Sequence, residues 1–255
     1  MKISIITPCF NSEKTIERTI QSVVNQKTEY DIEYIIIDGK SADCTCDIIK
    51  DYAERYPCIK WISEKDNSMT EALNKGMKRA TGKIIASLNA DDMYLPGIIQ
   101  KIGDIFATDD KMKVCMVNNY FADADTKRIL SKNKPRFFAP MICGFIECPF
   151  PECGIFYSNE CLQRVGYFNE EIKYTQDLEF YLRLISAGYK FRYRNVDASI
   201  FFRSSENYSS VVSDQMDLEV CSYFKYKKLY SIFSHSFISK VLKIILGIRK
   251  YYFRN

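Results

Sequence analysis

The amino-acid sequence predicts an α/β fold in which crossover helices join the strands of an open, doubly wound, mostly parallel sheet. In the first half of the chain, short apolar runs alternate with helical patterns, as expected for parallel strands joined by helices. Each of these apolar runs also ends at polar or acidic residues. With 255 residues, of which 47% are hydrophobic, the chain suits one elaborated domain.

Four strands and three helices are predicted in this half. The strands are rich in β-branched residues and cover residues 3–7, 33–37, 59–63 and 83–88. The helices are expected after Asn11 and Ser12, from Thr45 to Arg55, and from Ser68, which forms a capping box with Glu71, to a stop at Gly82. A further strand is predicted at residues 114–118.

Polar side chains follow all four strands. They lie at Pro8 to Asn11, at Asp38 to Ser41, at Asp66, and at Asn89 to Asp92. In a doubly wound sheet, ligands bind beyond the carboxyl ends of the strands, so these positions should face one crevice. Because Asp and Asn are common in turns, four unrelated solvated turns are the alternative.

The segment Asn89-Ala90-Asp91-Asp92 directly follows the fourth strand. A hard divalent cation on a diphosphate needs only one or two protein carboxylates, because phosphate oxygens and waters complete its octahedron. Two adjacent acids at a rigid strand end suit that role. The metal would neutralise charge on a leaving nucleoside diphosphate. Capping of a helix near Pro96 is the competing interpretation.

Four segments, in their order and separations, resemble the family 2 glycosyltransferases of GT-A fold: IITPCFNSEKTIERTIQSVVNQ, YIIIDGKSADCTCDII, SEKDNSMTEALNKGMKRATGKIIASLNADD and QDLEFYLRL. The resemblance implies inverting transfer of a sugar from a nucleotide-sugar donor, expected to be a UDP-sugar, with Mn²⁺ or Mg²⁺ as cofactor. The acceptor would be a saccharide or lipid-linked molecule in surface polysaccharide synthesis. Because the only tryptophan, Trp61, lies in a strand, the processive Gln-x-x-Arg-Trp motif is absent, and one sugar should be added per encounter.

The resemblance also assigns roles by position. It places Thr7, Pro8, Asn11 and Glu13 in the nucleoside pocket, and Asp66, Asn74 and Lys75 on the ribose and diphosphate side. Asp38 would accept the imide N–H of a pyrimidine. Asn89 and Ala90 would contact the donor, with Asp91 as principal metal ligand and Asp92 as a secondary one. Asp177 would be the base that takes the acceptor proton, and Arg203 would close the site near the diphosphate.

Three positions depart from the usual family pattern: Lys40 replaces a glycine, while Asn89 and Gln176 stand where acids are common. The alternative function is therefore a non-catalytic nucleotide-sugar-binding or scaffold protein with a degenerate site.

Several assigned residues also have plain structural interpretations. Asp43 suits a helix N-cap, and Asp177 a favourable acid at a helix N-terminus. At helical spacing of four residues, Lys75 could pair with Glu71, and Arg183 with Glu179.

The charge distribution separates the C-terminus from the rest. The net charge is +4, yet every charged residue after Glu219 is Lys or Arg. We expect one domain at 1–205, with a nucleotide-sugar-binding half at 1–110 and an acceptor half at 111–205, followed by a basic aromatic helical extension at 206–255. Residues 237–253 have the pattern of an amphipathic helix that would lie on an anionic membrane surface or pack on its own domain.

Other classes of protein are disfavoured. The first strand ends in Pro-Cys-Phe-Asn-Ser, without the glycines that a Rossmann oxidoreductase or a nucleotidylyltransferase needs. The 10 cysteines and the single His235 do not have zinc-ligand spacing. With no secretory signal pattern, we expect a cytoplasmic protein with reduced thiols, on the inner face of the plasma membrane if the helix binds lipid. No basic stripe indicates nucleic acid, and no pattern specifies an oligomeric state.

Overall fold

The computed structural model describes residues 1–135 and 151–203, together with Gln215 and Glu219. The strands are β1 (Lys2–Cys9), β2 (Asp31–Asp38), β3 (Ile59–Ser63), β4 (Ile84–Ser87), β5 (Met93–Tyr94), β6 (Val114–Asp123), β7 (Ile129–Asn133), β8 (Ile155–Ser158) and β9 (Phe191–Arg203). The helices are α1 (Ile16–Val24), α2 (Thr45–Arg55), α3 (Met69–Arg79), α4 (Ile98–Thr108), α5 (Asn159–Val165) and α6 (Gln176–Ser186). A 3₁₀ turn spans Glu152–Gly154.

All of these strands belong to one sheet, in the order β3-β2-β1-β4-β8-β6-β9-β5, with β7 paired to β6. Strands β1 to β4 are parallel to one another, and β6 is parallel to β9. Strand β8 runs antiparallel to both β4 and β6. The beginning of β8 therefore lies at the same edge of the sheet as the ends of β1, β2 and β4.

Helices cover both faces of the sheet, as a doubly wound fold requires. One apolar core lies between the sheet and helices α1, α2 and α4, with Ile16, Ile49 and Ile102 inside it. The second lies between the sheet and helices α3, α5 and α6, with Leu73, Leu162 and Phe180 inside it. Because both faces are covered, the central strands are apolar almost throughout.

The sequence predicted most of these elements closely. Helix α2 has the predicted limits, and the first four strands differ from their predicted limits by no more than two residues. Ser68 caps α3 by accepting a hydrogen bond from the Glu71 amide at 3.2 Å. Strand β6 extends well past the predicted 114–118, because β9 pairs with it as far as Asp123.

The predicted extension at 206–255, including the amphipathic pattern at 237–253, lies outside the described residues apart from Gln215 and Glu219. Within the described part of the chain, no helix is both long enough and apolar enough to cross a membrane. Seven cysteines fall in that part, and all of them are free thiols.

Candidate functional site

The ends of β1, β2 and β3 are aligned at one edge of the sheet. Cys9 lies beside Asp38, and Asp38 lies beside Ser63. On the other side of β1, Ile6 pairs with Ser87, the last residue of β4. The polar residues that follow these parallel strands therefore begin at the same edge of the sheet.

Helix α1 fixes the backbone of the acidic segment after β4. The Thr19 hydroxyl lies 2.8 Å from the Ala90 carbonyl oxygen and 2.7 Å from that of Asp92. Arg18 donates to the Asp91 carbonyl oxygen at 2.6 Å. Three consecutive carbonyl groups are thus held by two adjacent helix residues. Sequence reasoning missed both, because their partners lie more than 70 positions away.

The two aspartates of this segment have different surroundings. Asp92 has no exposed surface, and its Oδ1 accepts a hydrogen bond from the Phe202 amide at 3.1 Å. Burial raises the pKa of Asp92 well above its ordinary value, and the charge of Asp91 raises it further. Asp91 is partly exposed. Burial also raises the pKa of Asp91, and its own backbone amide and the Arg18 charge offset this only in part.

The residues of this segment fit a divalent cation that is bound partly by the protein and partly by the oxygens of a diphosphate. The Asn89 Oδ1 atom is buried and has no hydrogen-bond partner among the described residues, and Asp91 is the accessible carboxylate. Within those residues, no group of three or more His, Cys, Asp or Glu could hold a metal ion by itself. One carboxylate and an amide oxygen are enough only when phosphate supplies further ligands.

Asp38 anchors a loop from within the protein. Its carboxylate accepts hydrogen bonds from the Ser41 hydroxyl at 2.5 Å, the Ser63 hydroxyl at 2.6 Å and the Ser41 amide at 3.0 Å. The Cys46 thiol lies 3.1 Å away, and the residue has no exposed surface. Burial alone would raise the pKa of Asp38, but these hydrogen bonds lower it below its ordinary value. A base imide would have to compete with donors already in place.

Asn11 and Glu13 support the same loop. Asn11 Oδ1 accepts from the Ala42 amide and Glu13 Oε2 from the Cys44 amide, each at 3.0 Å. Asp43 accepts from the Thr45 amide at 3.0 Å, but it stands one residue before the N-cap of α2, which is Cys44. Lys40 has a φ of +66°, so the left-handed conformation that favours glycine persists here with a lysine.

Asp66 is placed differently from Asp38. Its Oδ1 lies 2.5 Å from the Lys75 ammonium, while its Oδ2 is buried and has no partner among the described residues. A Cβ atom built on Gly39 would lie 3.6 Å from this Oδ2 and 3.4 Å from the Phe10 ring, so the missing side chain leaves a space between them. Phe10 is 62% exposed. Burial raises the pKa of Asp66, which Lys75 offsets only in part.

Lys75 binds three carboxylates at once. Besides Asp66, it lies 3.1 Å from Glu64 and 3.1 Å from Glu71, so the ion pair expected between Glu71 and Lys75 is present. Lys75 therefore serves to position Asp66.

Three of the residues predicted to contact the nucleotide sugar are buried, and two of them form hydrogen bonds within the protein. Thr7 is buried and donates to the Leu88 carbonyl oxygen at 2.7 Å, while Pro8 is buried beside Ile37 in the sheet. Asn74 Nδ2 donates to the Phe168 carbonyl oxygen at 2.9 Å, and its Oδ1 accepts from the Phe168 amide at 3.0 Å. These side chains join elements that are distant in sequence, and the positions they occupy favour a supporting role.

Asp177 lies in the first turn of α6. The backbone before this helix is held by Glu219, whose carboxylate accepts hydrogen bonds from the amides of Lys173, Tyr174 and Thr175 at 2.8 to 2.9 Å. Glu179 is nearly buried and pairs with Arg183 at 2.7 Å, which confirms the expected pairing of these two.

Arg203 lies at the end of β9, one residue after the Phe202 amide that binds Asp92. Its guanidinium stacks over Phe121, with the carbon atom 3.9 Å from the ring centroid.

A further acid, Glu152, belongs to this edge and was not singled out from the sequence. Its Oε1 accepts a hydrogen bond from the Ser87 hydroxyl at 2.5 Å, which joins the 3₁₀ turn to the end of β4. Burial raises the pKa of Glu152 to about 7, and the charge of Asp177 contributes to this. Glu152 lies in a stretch rich in proline and aromatic residues, without periodicity to indicate its position.

The fold and this edge together define a doubly wound α/β protein with carboxylates beyond its parallel strands. Residues 4–166 match the profile of Glycosyl transferase family 2, so the chain belongs to that family. An uncharacterised glycosyltransferase of Nostoc sp. is 33% identical over 173 residues, covering 65% of this chain and 53% of the relative. The minor teichoic acid biosynthesis protein GgaA of Bacillus subtilis is 26% identical over 218 residues, covering 82% and 48%. The chain thus spans about half of the length of these relatives.

Solved structures establish the GT-A fold. A mannosyltransferase from Pyrobaculum calidifontis in complex with GDP-Man and Mn²⁺ superposes with a TM-score of 0.68 at 16% identity, covering 99% of this chain and 76% of that one. TarS of S. aureus in complex with UDP-GlcNAc gives a TM-score of 0.65 at 17% identity, covering 99% and 73%.

Proposed function

We propose that this protein is a metal-assisted, inverting glycosyltransferase that moves one sugar from a UDP-sugar to a saccharide or lipid-linked acceptor in surface polysaccharide synthesis. The observation that carries the proposal is a pair of buried acceptor atoms, Asp66 Oδ2 and Asn89 Oδ1, at the edge where the polar strand ends meet. Neither has a hydrogen-bond partner among the described residues. Buried polar atoms are normally paired, so unpaired ones at a crevice favour a ligand that supplies the missing partners.

We assign recognition of the base to Asp66 in place of Asp38. The imide N–H of uracil needs an acceptor. Among the described residues, Asp66 Oδ2 has no hydrogen-bond donor, whereas Asp38 accepts from several. The exposed Phe10 ring beside Gly39 would offer the base an apolar face.

Asp91 and Asn89 would hold a divalent metal with the diphosphate of the donor. The metal would supply positive charge that stabilises the leaving diphosphate. Asp92, by binding the Phe202 amide, keeps this segment in place.

Asp177 would act as the base. An acceptor oxygen attacks the anomeric carbon while the bond from that carbon to the diphosphate breaks, and the proton of the acceptor passes to the Asp177 carboxylate. One displacement with no carboxylate nucleophile inverts the anomeric centre. The N-terminus of α6 favours the ionised form that a base requires.

Calorimetry of UDP binding tests the proposal. UDP should bind more tightly with Mn²⁺ than without it, and Asp91→Ala should abolish that difference. The exposed Asp110→Ala serves as the matched control. If Mn²⁺ does not change the affinity of the unaltered protein for UDP, the result would favour the non-catalytic alternative. Hydrolysis of UDP-, dTDP- and GDP-sugars then identifies the donor.

The proposed location is the cytoplasmic face of the membrane, reached through residues 237–253. The full chain should co-sediment with anionic vesicles, and a chain ending at Lys228 should not. Equal recovery of both chains with the vesicles would contradict membrane binding through residues 237–253.

A further inference from the structure

The order of the strands sets the order in which the parts of a bound donor meet the protein. From β3 the sheet continues through β2, β1 and β4 to β8. The base site proposed at Asp66 lies at the β1 and β2 ends, and the diphosphate site proposed at Asp91 follows β4. A donor that continues in the same direction would place the sugar on that diphosphate near the next strand, β8. The turn before β8 carries Glu152.

Glu152 is anchored to β4 and keeps one oxygen for a ligand. Its Oε1 accepts the Ser87 hydrogen bond at 2.5 Å. Ser87 provides its only hydrogen bond within the described residues, and the side chain is not fully enclosed. Oε2 has no hydrogen-bond partner among the described residues, and a carboxyl oxygen can pair with a sugar hydroxyl group.

The turn that carries Glu152 is held against β6. A Cβ atom on Gly154 would lie 2.0 Å from Asn119 Nδ2, so only glycine allows this close approach. Asn119 is held in turn by the Ser199 hydroxyl at 2.5 Å, which also lies 3.2 Å from the Cys153 thiol. Such support on both sides gives Glu152 the fixed position that a specificity residue needs.

We propose that Glu152 binds a hydroxyl group of the transferred sugar and so contributes to the choice of donor. This inference rests on the proposed function. The charge of Asp177 contributes to the raised pKa of Glu152, as expected when the two acids lie on the same side of the sheet edge.

Binding of UDP and UDP-sugars with Mn²⁺ and no acceptor tests the inference in Glu152→Ala and Glu152→Gln. The dissociation constants of UDP, UDP-GlcNAc, UDP-GalNAc, UDP-Glc and UDP-Gal are measured. For the best UDP-sugar, loss of a hydrogen bond to a carboxylate should raise the dissociation constant on the order of tenfold in Glu152→Ala, with UDP changed by less than about twofold. Glu160→Gln, an exposed acid paired with Lys113, should change neither.

A deoxy-sugar analogue of that donor adds an independent measurement. When the missing hydroxyl is the one that Glu152 binds, the unaltered protein and Glu152→Ala should bind the analogue equally. Thermal unfolding of each variant checks folding, and Glu152→Gln, with nearly the same shape, covers a failure of the alanine variant.

Equal weakening of UDP and UDP-sugar, or no weakening of either, would overturn the inference while leaving the proposed function intact. Absence of UDP binding in the unaltered protein would overturn both.

Discussion

Replacing Asp66 and Asp38 by asparagine, one at a time, separates recognition of the base from support of the pocket. Asp66→Asn keeps the size of the side chain and removes its charge. Lys75 would keep Glu64 and Glu71, each at 3.1 Å, so the free energy of unfolding should fall by less than about 1 kcal/mol. Uracil would lose a charged acceptor worth about 1.5–3 kcal/mol, which raises the dissociation constant of UDP about 10- to 100-fold.

Asp38→Asn should lower the free energy of unfolding more than it weakens UDP binding. The carboxylate accepts from the Ser41 hydroxyl, the Ser41 amide and the Ser63 hydroxyl, at 2.5, 3.0 and 2.6 Å. An asparagine would turn an NH₂ group toward some of these donors. Loss of buried hydrogen bonds to a charged group should lower the free energy of unfolding by about 2–5 kcal/mol.

Urea unfolding measures the free energy of unfolding, and calorimetry measures the dissociation constant of UDP, on the same protein samples. The assignment of the base to Asp66 fails if Asp38→Asn weakens UDP binding without loss of stability while Asp66→Asn binds UDP normally. Asp110→Asn, at an exposed position, measures how much neutralising an acid elsewhere on the surface changes stability and UDP binding.

Three further predictions concern the support of the site and the sheet. Thr19→Val leaves the Ala90 and Asp92 carbonyl groups without their hydroxyl partner, so urea unfolding should show a loss of about 1–3 kcal/mol, whereas the exposed Thr108→Val should lose less. Lys40→Gly relieves a positive φ and should raise the free energy of unfolding by about 1 kcal/mol; a decrease would contradict this. Burial alone would raise the pKa of Glu33, but hydrogen bonds from Lys60, Ser4 and Thr81 lower it to about 2. The resulting stability should be complete above about pH 4.5 and disappear as the pH falls through 2, and Glu33→Gln should show a weaker pH dependence over that range.

Local patterns were enough to predict the elements that face the crevice. Three of these features depend only on residues within one or two helical turns: the limits of α2, the capping of α3 by Ser68, and the pairing of Glu179 with Arg183. Their partners are therefore close together in the sequence. The convergence of polar strand ends followed from the general geometry of parallel sheets, which needs only the strands and their directions.

The tertiary structure decided which polar residues remain available to a ligand. Asp38 and Asp66 follow strands and Asn74 lies in the middle of α3, and no local pattern tells which of the three keeps a free polar atom. Asp38 is enclosed because Ser63 of β3 lies beside it, and Asn74 is occupied by Phe168, which is 94 positions away. Lys75 binds one oxygen of Asp66, and the other oxygen has no partner in the part of the chain that the structure describes.

The sequence by itself thus determined an α/β fold with acidic groups beyond its strands, because periodicity and strand-end composition are properties of neighbouring residues. Only the tertiary structure revealed that Arg18 and Thr19 hold the segment around Asp91, and that Glu152 lies beside Ser87. Those contacts join positions 65 to 73 residues apart, so they depend on how helices and turns pack against the sheet.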